Sequence, residues 1–210
     1  MKFQHLTRVA TASFALLFAA SAFADTIATF ADPAQTGNTP LFTLDLTVGN
    51  PGDGLLTGGW SDDQTGLDLE IQGVCHCDTW FVMNELTYTG DVMSGQTSPG
   101  ELEFFADGAD PLGDEPLVRI TFSSASVSLV GFGGSDFYSL DNVQITGSAV
   151  PAALSNEAFA FSFANHVPLG GDVLNGYTVT AAFTSSAIPE PAGVGLLATG
   201  SAMLLRRRPI

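Results

Sequence analysis

Positively charged side chains are scarce in this sequence of 210 residues, which has six Lys and Arg against 22 Asp and Glu. Residues 25–190 hold all 22 acids but only one fixed cation, Arg119, so their net charge is −21. Such a surface repels the phosphates of nucleic acids and of anionic lipids. The composition therefore excludes DNA or RNA as a partner and favours cations, neutral polysaccharide or positively charged proteins. We expect Arg119 to pair with a nearby acid and divalent ions to help the chain fold.

Sequence motifs of common enzymes are also missing. After residue 24, histidine occurs only at His76 and His166, and there is no G-x-S-x-G, H-E-x-x-H or phosphate-binding glycine loop. Residues 131–134 carry three glycines but lack the spacing of a dinucleotide fingerprint. With so many acids, some pair of carboxylates will have the separation found in glycosidases by chance, so the abundance of acids does not distinguish a glycosidase from other proteins. We expect a protein that is not an enzyme, with a glycoside-active enzyme as the less favoured alternative.

Cysteine is limited to Cys75 and Cys77, which flank His76. Outside the cytoplasm thiols oxidise, and these two can pair only with each other or with another molecule. Two thiolates and an imidazole could instead hold zinc or copper, although a strand would place His76 on the opposite face from both cysteines. A local disulfide or free cysteines at a turn is the leading interpretation, and a metal site is the alternative.

Helical patterns are absent as well, and alternation of apolar and polar residues takes their place. Apolar spacing of three and four residues is not sustained anywhere after residue 24, and Lys, Gln and Arg are few. The alternation predicts nine or ten strands, at residues 26–30, 42–48, 67–71, 80–89, 101–106, 117–122, 127–132, 140–146, 159–163 and 177–183. We predict an all-β domain over residues 25–186, an antiparallel β-sandwich or jelly-roll-like fold. A single up-and-down sheet closed on itself is the alternative.

The N-terminal segment has the layout of a secretory signal peptide. Two basic residues precede an apolar run at residues 9–20, and Ala22 and Ala24 then form an A-x-A cleavage site. The apolar run is shorter than the roughly 20 residues that a spanning helix needs. We predict that residues 1–24 are removed after Ala24, with an export translocase and a signal peptidase as partners.

The C-terminal segment, residues 187–210, combines three elements. Pro189, Glu190 and Pro191 come first, an uncharged stretch at residues 192–205 follows, and the basic cluster comes last. That cluster consists of Arg206, Arg207 and Arg208. At about 1.5 Å per residue a helix over the uncharged stretch covers roughly 21 Å, less than the ~30 Å hydrocarbon thickness. We predict a short hydrophobic helix whose arginines stay on the cytoplasmic side and leave the β domain outside.

These three elements, in this order and spacing, resemble the PEP-CTERM sorting signal of exported proteins in bacteria with a two-membrane envelope. The glycines and serine at positions 193, 195, 200 and 201 match the small residues of its short transmembrane segment. The resemblance implies recognition by an exosortase, a membrane-embedded cysteine transpeptidase-like enzyme, and cleavage near the motif. It further implies transient anchoring in the inner membrane, then delivery to the cell surface or extracellular matrix, often together with exopolysaccharide in biofilms. A membrane anchor that is never cleaved is the alternative.

A loop rich in acids lies between two predicted strands. Asp107, Asp110, Asp114 and Glu115 supply carboxylate oxygens that suit Ca²⁺, and glycine and proline bend the chain around them. The loop lacks the ligand spacing of an EF-hand, and a solvated hairpin loop is the favoured alternative. We therefore carry a calcium-assisted carbohydrate-binding module as a second function.

Two further features could concern carbohydrate. Residues 137–145 are similar to an Asp-Asn-Val strand of galactose-binding-like and lectin-like sandwiches, although a turn that needs side chains to bond its own backbone is the favoured explanation of the pair. Trp60, Trp80 and Tyr88 could stack on sugar rings if they were exposed, but aromatic residues of a sandwich usually belong to its core.

Overall fold

The computed structural model describes residues 24–31, 41–60, 67–136, 141–151 and 154–189, with the backbone alone for Trp60 and Pro189. Its secondary structure is almost entirely β, as predicted. Two short 3₁₀ turns, Leu169–Gly171 and Val173–Asn175, are the helical segments of the described part. Neither has the length or the apolar character that crossing a membrane requires.

The described part of the chain contains fourteen strands. They are β1 Asp25–Phe30, β2 Phe42–Asp45, β3 Asp53–Trp60, β4 Leu67–Ile71, β5 Cys75–Met83, β6 Leu86–Gly90, β7 Ser94–Thr97, β8 Gly100–Ala106, β9 Val118–Phe122, β10 Ser126–Ser128, β11 Gly131–Ser135, β12 Gln144–Thr146, β13 Leu154–Pro168 and β14 Gly176–Pro189. The two longest, β13 and β14, form one antiparallel hairpin.

All strands belong to one antiparallel sheet in the order β12-β9-β8-β5-β4-β1-β14-β13-β11-β10-β7-β6-β3-β2. Two further pairings, β5 with β3 and β14 with β2, join strands that are distant in this order. Residues 176–179 of β14 pair with β2, and residues 183–187 pair with β1 along the same edge. The sheet therefore folds back on itself, because β14, in the middle of this order, also pairs with β2 at its end.

A cluster of phenylalanine rings fills the space that the folded sheet encloses. Phe161 of β13 lies 4.8 Å from Phe42 and 6.1 Å from Phe81 between ring centroids. Phe104 of β8 lies 5.0 Å from Phe183 of β14, although these strands are not hydrogen-bonded neighbours. Burying each such side chain stabilises the fold by about 1.5–3 kcal/mol, so this cluster is a main source of stability.

Close backbone packing at the start of β14 requires a glycine. Gly176 has a φ of 106°, and a Cβ at this position would collide with the carbonyl group of Leu44 in β2. A side chain is disfavoured on both counts. Glycine therefore allows β14 to pair with β2 immediately after the 3₁₀ turns.

The C-terminal end of β14 corrects one expectation. The sequence predicts that the β domain ends at residue 186, but β14 continues to Pro189. Ala187 pairs with Asp25 of β1, and Leu154 of β13 pairs with Pro189. The apolar side chain of Ala187 is fully buried, which explains why the strand continues this far.

Candidate functional site

A polar cleft of about 450 Å³ opens where β9, β12 and β13 meet the end of β11. We call it the Glu157 cleft. Its polar lining consists of Thr121, Ser123, Asp136, Asn142, Gln144 and Glu157, and Phe122 and Val143 are the apolar lining residues. The lining thus combines two carboxylates, two amides and two hydroxyls, and small-molecule sites of proteins are about this size, roughly 300–1,000 Å³.

Glu157 lies half-buried in β13 and connects that strand to β12. Its Oε1 accepts the backbone N–H of Ile145 at 2.9 Å. The backbone N–H of Asp136 donates to the Glu157 carbonyl oxygen at 2.7 Å, which brings the second acid to the cleft. Burial raises the pKa of the Glu157 carboxyl, the bond from Ile145 offsets part of this rise, and the charge of Asp136 adds to it.

The Asp-Asn pair predicted to belong to a turn does stabilise one. The Oδ2 of Asp141 accepts the N–H of Ser135 at 3.1 Å, and its carbonyl oxygen accepts the N–H of Ser123 at 2.6 Å. Asn142 has a φ of 42°, a left-handed conformation that asparagine tolerates, and its Nδ2 donates to the Ser123 hydroxyl at 3.2 Å. The turn therefore presents Asn142 at the cleft.

The predicted calcium ligands are not assembled into a site. The Oδ1 of Asp110 accepts the N–H of Leu112 at 2.9 Å, and the Oδ2 of Asp114 accepts the N–H of Asp110 at 2.9 Å. Nowhere in the described ranges do three or more His, Cys, Asp or Glu side chains come together as metal ligands would, and Asp107 and Glu115 are no exception. Two of the four acids bond the backbone of their own loop, as in the hairpin alternative.

The structure joins Cys75 and Cys77 in a disulfide at the start of β5, with their Cα atoms 5.5 Å apart. Both residues pack partly against the core. His76 is exposed on the other face, with Nδ1 3.7 Å from Asp68 Oδ1 and Nε2 3.9 Å from Glu70 Oε1. The zinc or copper alternative is therefore wrong for this structure, since the sulfurs are bonded to each other and the imidazole points away.

The aromatic residues considered for sugar stacking have structural roles where they are described. Tyr88 is fully buried, its hydroxyl donates to the Asp91 carbonyl oxygen at 2.5 Å, and burial raises its pKa to about 12. The Trp80 ring stacks on Phe105 at 4.9 Å between centroids, and its Nε1 donates to the Ala106 carbonyl oxygen at 3.2 Å. Neither ring belongs to the Glu157 cleft.

Arg119 pairs with acids, as expected. Its Nε lies 2.8 Å from Glu101 Oε1, and its Nη2 lies 2.6 Å from Glu103 Oε1. The hydrogen bond to Glu103 and the charges of both acids raise the pKa of Arg119. The one fixed cation of residues 25–190 is therefore committed to β8 and is not a counter-ion for the Glu157 cleft.

Few of the predicted processing residues fall within the described part. Ala24 is exposed and directly precedes β1, and the backbone of Pro189 ends β14. Ala22, Glu190, Pro191, Arg206, Arg207 and Arg208 lie outside the described residues.

The sequence contained one signal of the cleft that motif analysis missed. Glu157 is the only Asp or Glu between residues 142 and 171, and the other residues of its strand are small, apolar or amide residues and one histidine. A comparison with protein families, curated proteins and solved structures finds no match for this chain. Arguments about function therefore depend on the residues themselves.

Proposed function

We propose that this chain is an exported, non-enzymatic β protein that its C-terminal sorting signal delivers to the cell surface or extracellular matrix. The observation that supports this most is the pairing of Asp25 with Ala187. Asp25 directly follows the predicted signal-peptide cleavage site, and Ala187 lies two residues before the Pro-Glu-Pro motif. The two predicted targeting segments therefore adjoin paired positions of neighbouring strands.

This arrangement suits a domain held briefly at a membrane by its ends. Two segments that leave from neighbouring strands can enter the same bilayer without crossing the domain. Cleavage after Ala24 and after the Pro-Glu-Pro motif leaves all fourteen described strands intact, because β1 begins at Asp25 and β14 ends at Pro189. An export translocase, a signal peptidase and an exosortase would act on these segments in turn.

We further propose that the folded sheet is a β-sandwich of the jelly-roll kind. Contacts such as the one between Phe104 and Phe183 support this, because they join strands that share no ladder. In a sandwich, side chains of two facing sheets interdigitate in this way. The ring closure through β2 and β14 favours strands that pass from one face to the other.

The charge of the domain supports a neutral extracellular partner. A net charge of −21 over residues 25–190, with Arg119 already paired, opposes binding to nucleic acid and to acidic polymers. Neutral exopolysaccharide meets no such barrier. Calcium-assisted binding of carbohydrate has less support, because the acidic loop does not gather its carboxylates.

Intact mass of the protein recovered from its producing cells tests the proposal. We expect the loss of residues 1–24 and of the segment that follows the Pro-Glu-Pro motif. Glu190→Ala, or removal of residues 206–208, should leave the tail attached, whereas the matched control Glu85→Gln should be processed normally. Unchanged processing in both tail variants would refute the sorting role, and an intact chain in the cytosol would refute export.

A further inference from the structure

The carboxylate of Glu157 accepts the N–H of Ile145, a hydrogen bond that does not require its charge, because the amide oxygen of a glutamine could accept it as well. A half-buried carboxylate also loses hydration that a neutral amide would not lose to the same extent. The fold therefore tolerates a charge at a cost to its stability, which points to a use outside folding.

The balance of donors and acceptors in the Glu157 cleft limits what can bind there. Glu157 and Asp136 accept hydrogen bonds, the amides of Asn142 and Gln144 offer N–H donors, and Thr121 adds a hydroxyl. A hydroxyl of a sugar both donates and accepts, so neighbouring ring hydroxyls can use both kinds of group. The size of the cleft, about 450 Å³, lies within the range of small-molecule sites.

Other ligand classes fit this lining less well. An acidic sugar would place its carboxylate beside Glu157 and Asp136, with no Lys or Arg to compensate, because Arg119 is held by Glu101 and Glu103. A simple amine would need acceptors only and would leave both amides unused. A metal ion is disfavoured because three acidic, His or Cys ligands do not converge in the described ranges.

We propose that the Glu157 cleft binds a neutral sugar residue of an extracellular polysaccharide. Glu157 and Asp136 accept bonds from adjacent ring hydroxyls, and Asn142 and Gln144 donate to sugar oxygens. This site would give the proposed matrix protein its binding partner. The inference rests on the proposed function, because only an exported protein meets an extracellular polysaccharide.

Binding of the full-length chain to soluble oligosaccharides tests the site. The probes are neutral gluco-, galacto- and manno-oligosaccharides, with uronate and amino-sugar oligomers as comparison arms, screened on an array and then measured by calorimetry. We expect at least one neutral oligomer to bind, and Glu157→Gln and Gln144→Ala each to weaken it by about tenfold or more. Glu85→Gln, an exposed acid outside the cleft, should bind as the parent does.

Two measurements separate the outcomes. Thermal unfolding shows whether a variant is folded, and we expect Glu157→Gln to unfold no earlier than the parent at neutral pH. Absence of neutral-sugar binding, tighter binding of uronate or amino-sugar oligomers, or unchanged affinity in both cleft variants would overturn the site. Intact mass of the same preparations reports the sorting role separately, so normal processing without sugar binding would contradict the cleft alone.

Discussion

The hydroxyl of Ser185 stabilises the junction of β1 and β14, and its removal is the sharpest test of that junction. The register of the β1–β14 ladder shifts between Thr26 and Ala28, and the Ser185 side chain bonds the backbone at this point. Its Oγ accepts the Ala28 N–H at 3.1 Å and donates to the Ala28 carbonyl oxygen at 3.2 Å. Ser185 is 1% exposed and Ala28 is 0% exposed, so water does not reach these groups.

Ser185→Ala leaves a buried N–H of Ala28 without this acceptor, at a cost of about 1–3 kcal/mol in the free energy of unfolding. The Ala28 carbonyl oxygen, which also loses its bond to Ser185, adds less to this cost, because a buried carbonyl without a full set of hydrogen bonds is tolerated better than a buried N–H without an acceptor. At roughly 2–4 °C per kcal/mol for a domain of this size, a loss of about 2 kcal/mol lowers Tm by about 4–8 °C.

Urea and thermal unfolding of the full-length chain measure this loss. Thr184→Ala, at the exposed neighbouring position, serves as the control and should change stability by less than about 0.5 kcal/mol. Equal stability of the two variants would show that the hydroxyl does not complete the ladder, and the account of the junction would fail.

Three further substitutions test the core, the backbone and the cleft by urea unfolding. Phe161→Ala should cost about 3–5 kcal/mol because it opens a cavity in the centre of the ring cluster, and a loss below about 1 kcal/mol would contradict that placement. Gly176→Ala should cost at least about 1–3 kcal/mol because of the positive φ and the contact with the Leu44 carbonyl, whereas an unchanged midpoint would exclude both. Glu157→Gln should stabilise the chain at pH 7, because burial raises the pKa of this acid in the folded state above its ordinary value of 4.5. Between these two pKa values the folded state binds more protons than the unfolded state, so the parent loses stability as pH rises through that window. The glutamine variant should lack this dependence in midpoints measured from pH 4 to 8, and identical profiles would refute the cause.

Strands with one polar and one buried face were predictable from the sequence. The bounds of β4 match the prediction at residues 67–71, because Leu, Asp, Leu, Glu and Ile alternate without interruption. The strand β3 was missed, since its glycines carry no side chain to alternate. At Gly58 a Cβ would lie 2.6 Å from the Phe42 ring, so the glycine is there to admit that ring. The alternation of apolar and polar side chains cannot reveal a strand such as β3, in which glycines make room for neighbouring side chains.

The Glu157 cleft could not be predicted because its residues come from three strands and the turns beside them. Thr121 and Glu157 become neighbours of one cleft only after β12 pairs with β9 and β13 approaches β12. The acidic loop illustrates the opposite case, in which acids close in sequence bond their own backbone and do not converge. Acids that are close in sequence led to the prediction of a calcium site that they do not form. The residues of the Glu157 cleft are far apart in sequence, so the cleft was not predicted.

The position of β14 affects the order of folding. A chain is synthesised from its N-terminus, yet β1 and β2 both pair with β14, the last strand of the described part. Ala28 and Ser185, which bond across this junction, are 157 residues apart in the chain. Until β14 is available, these early strands have open hydrogen-bonding edges of the kind that promote aggregation. Folding should therefore be slow, because these pairings close only when β14 has been synthesised.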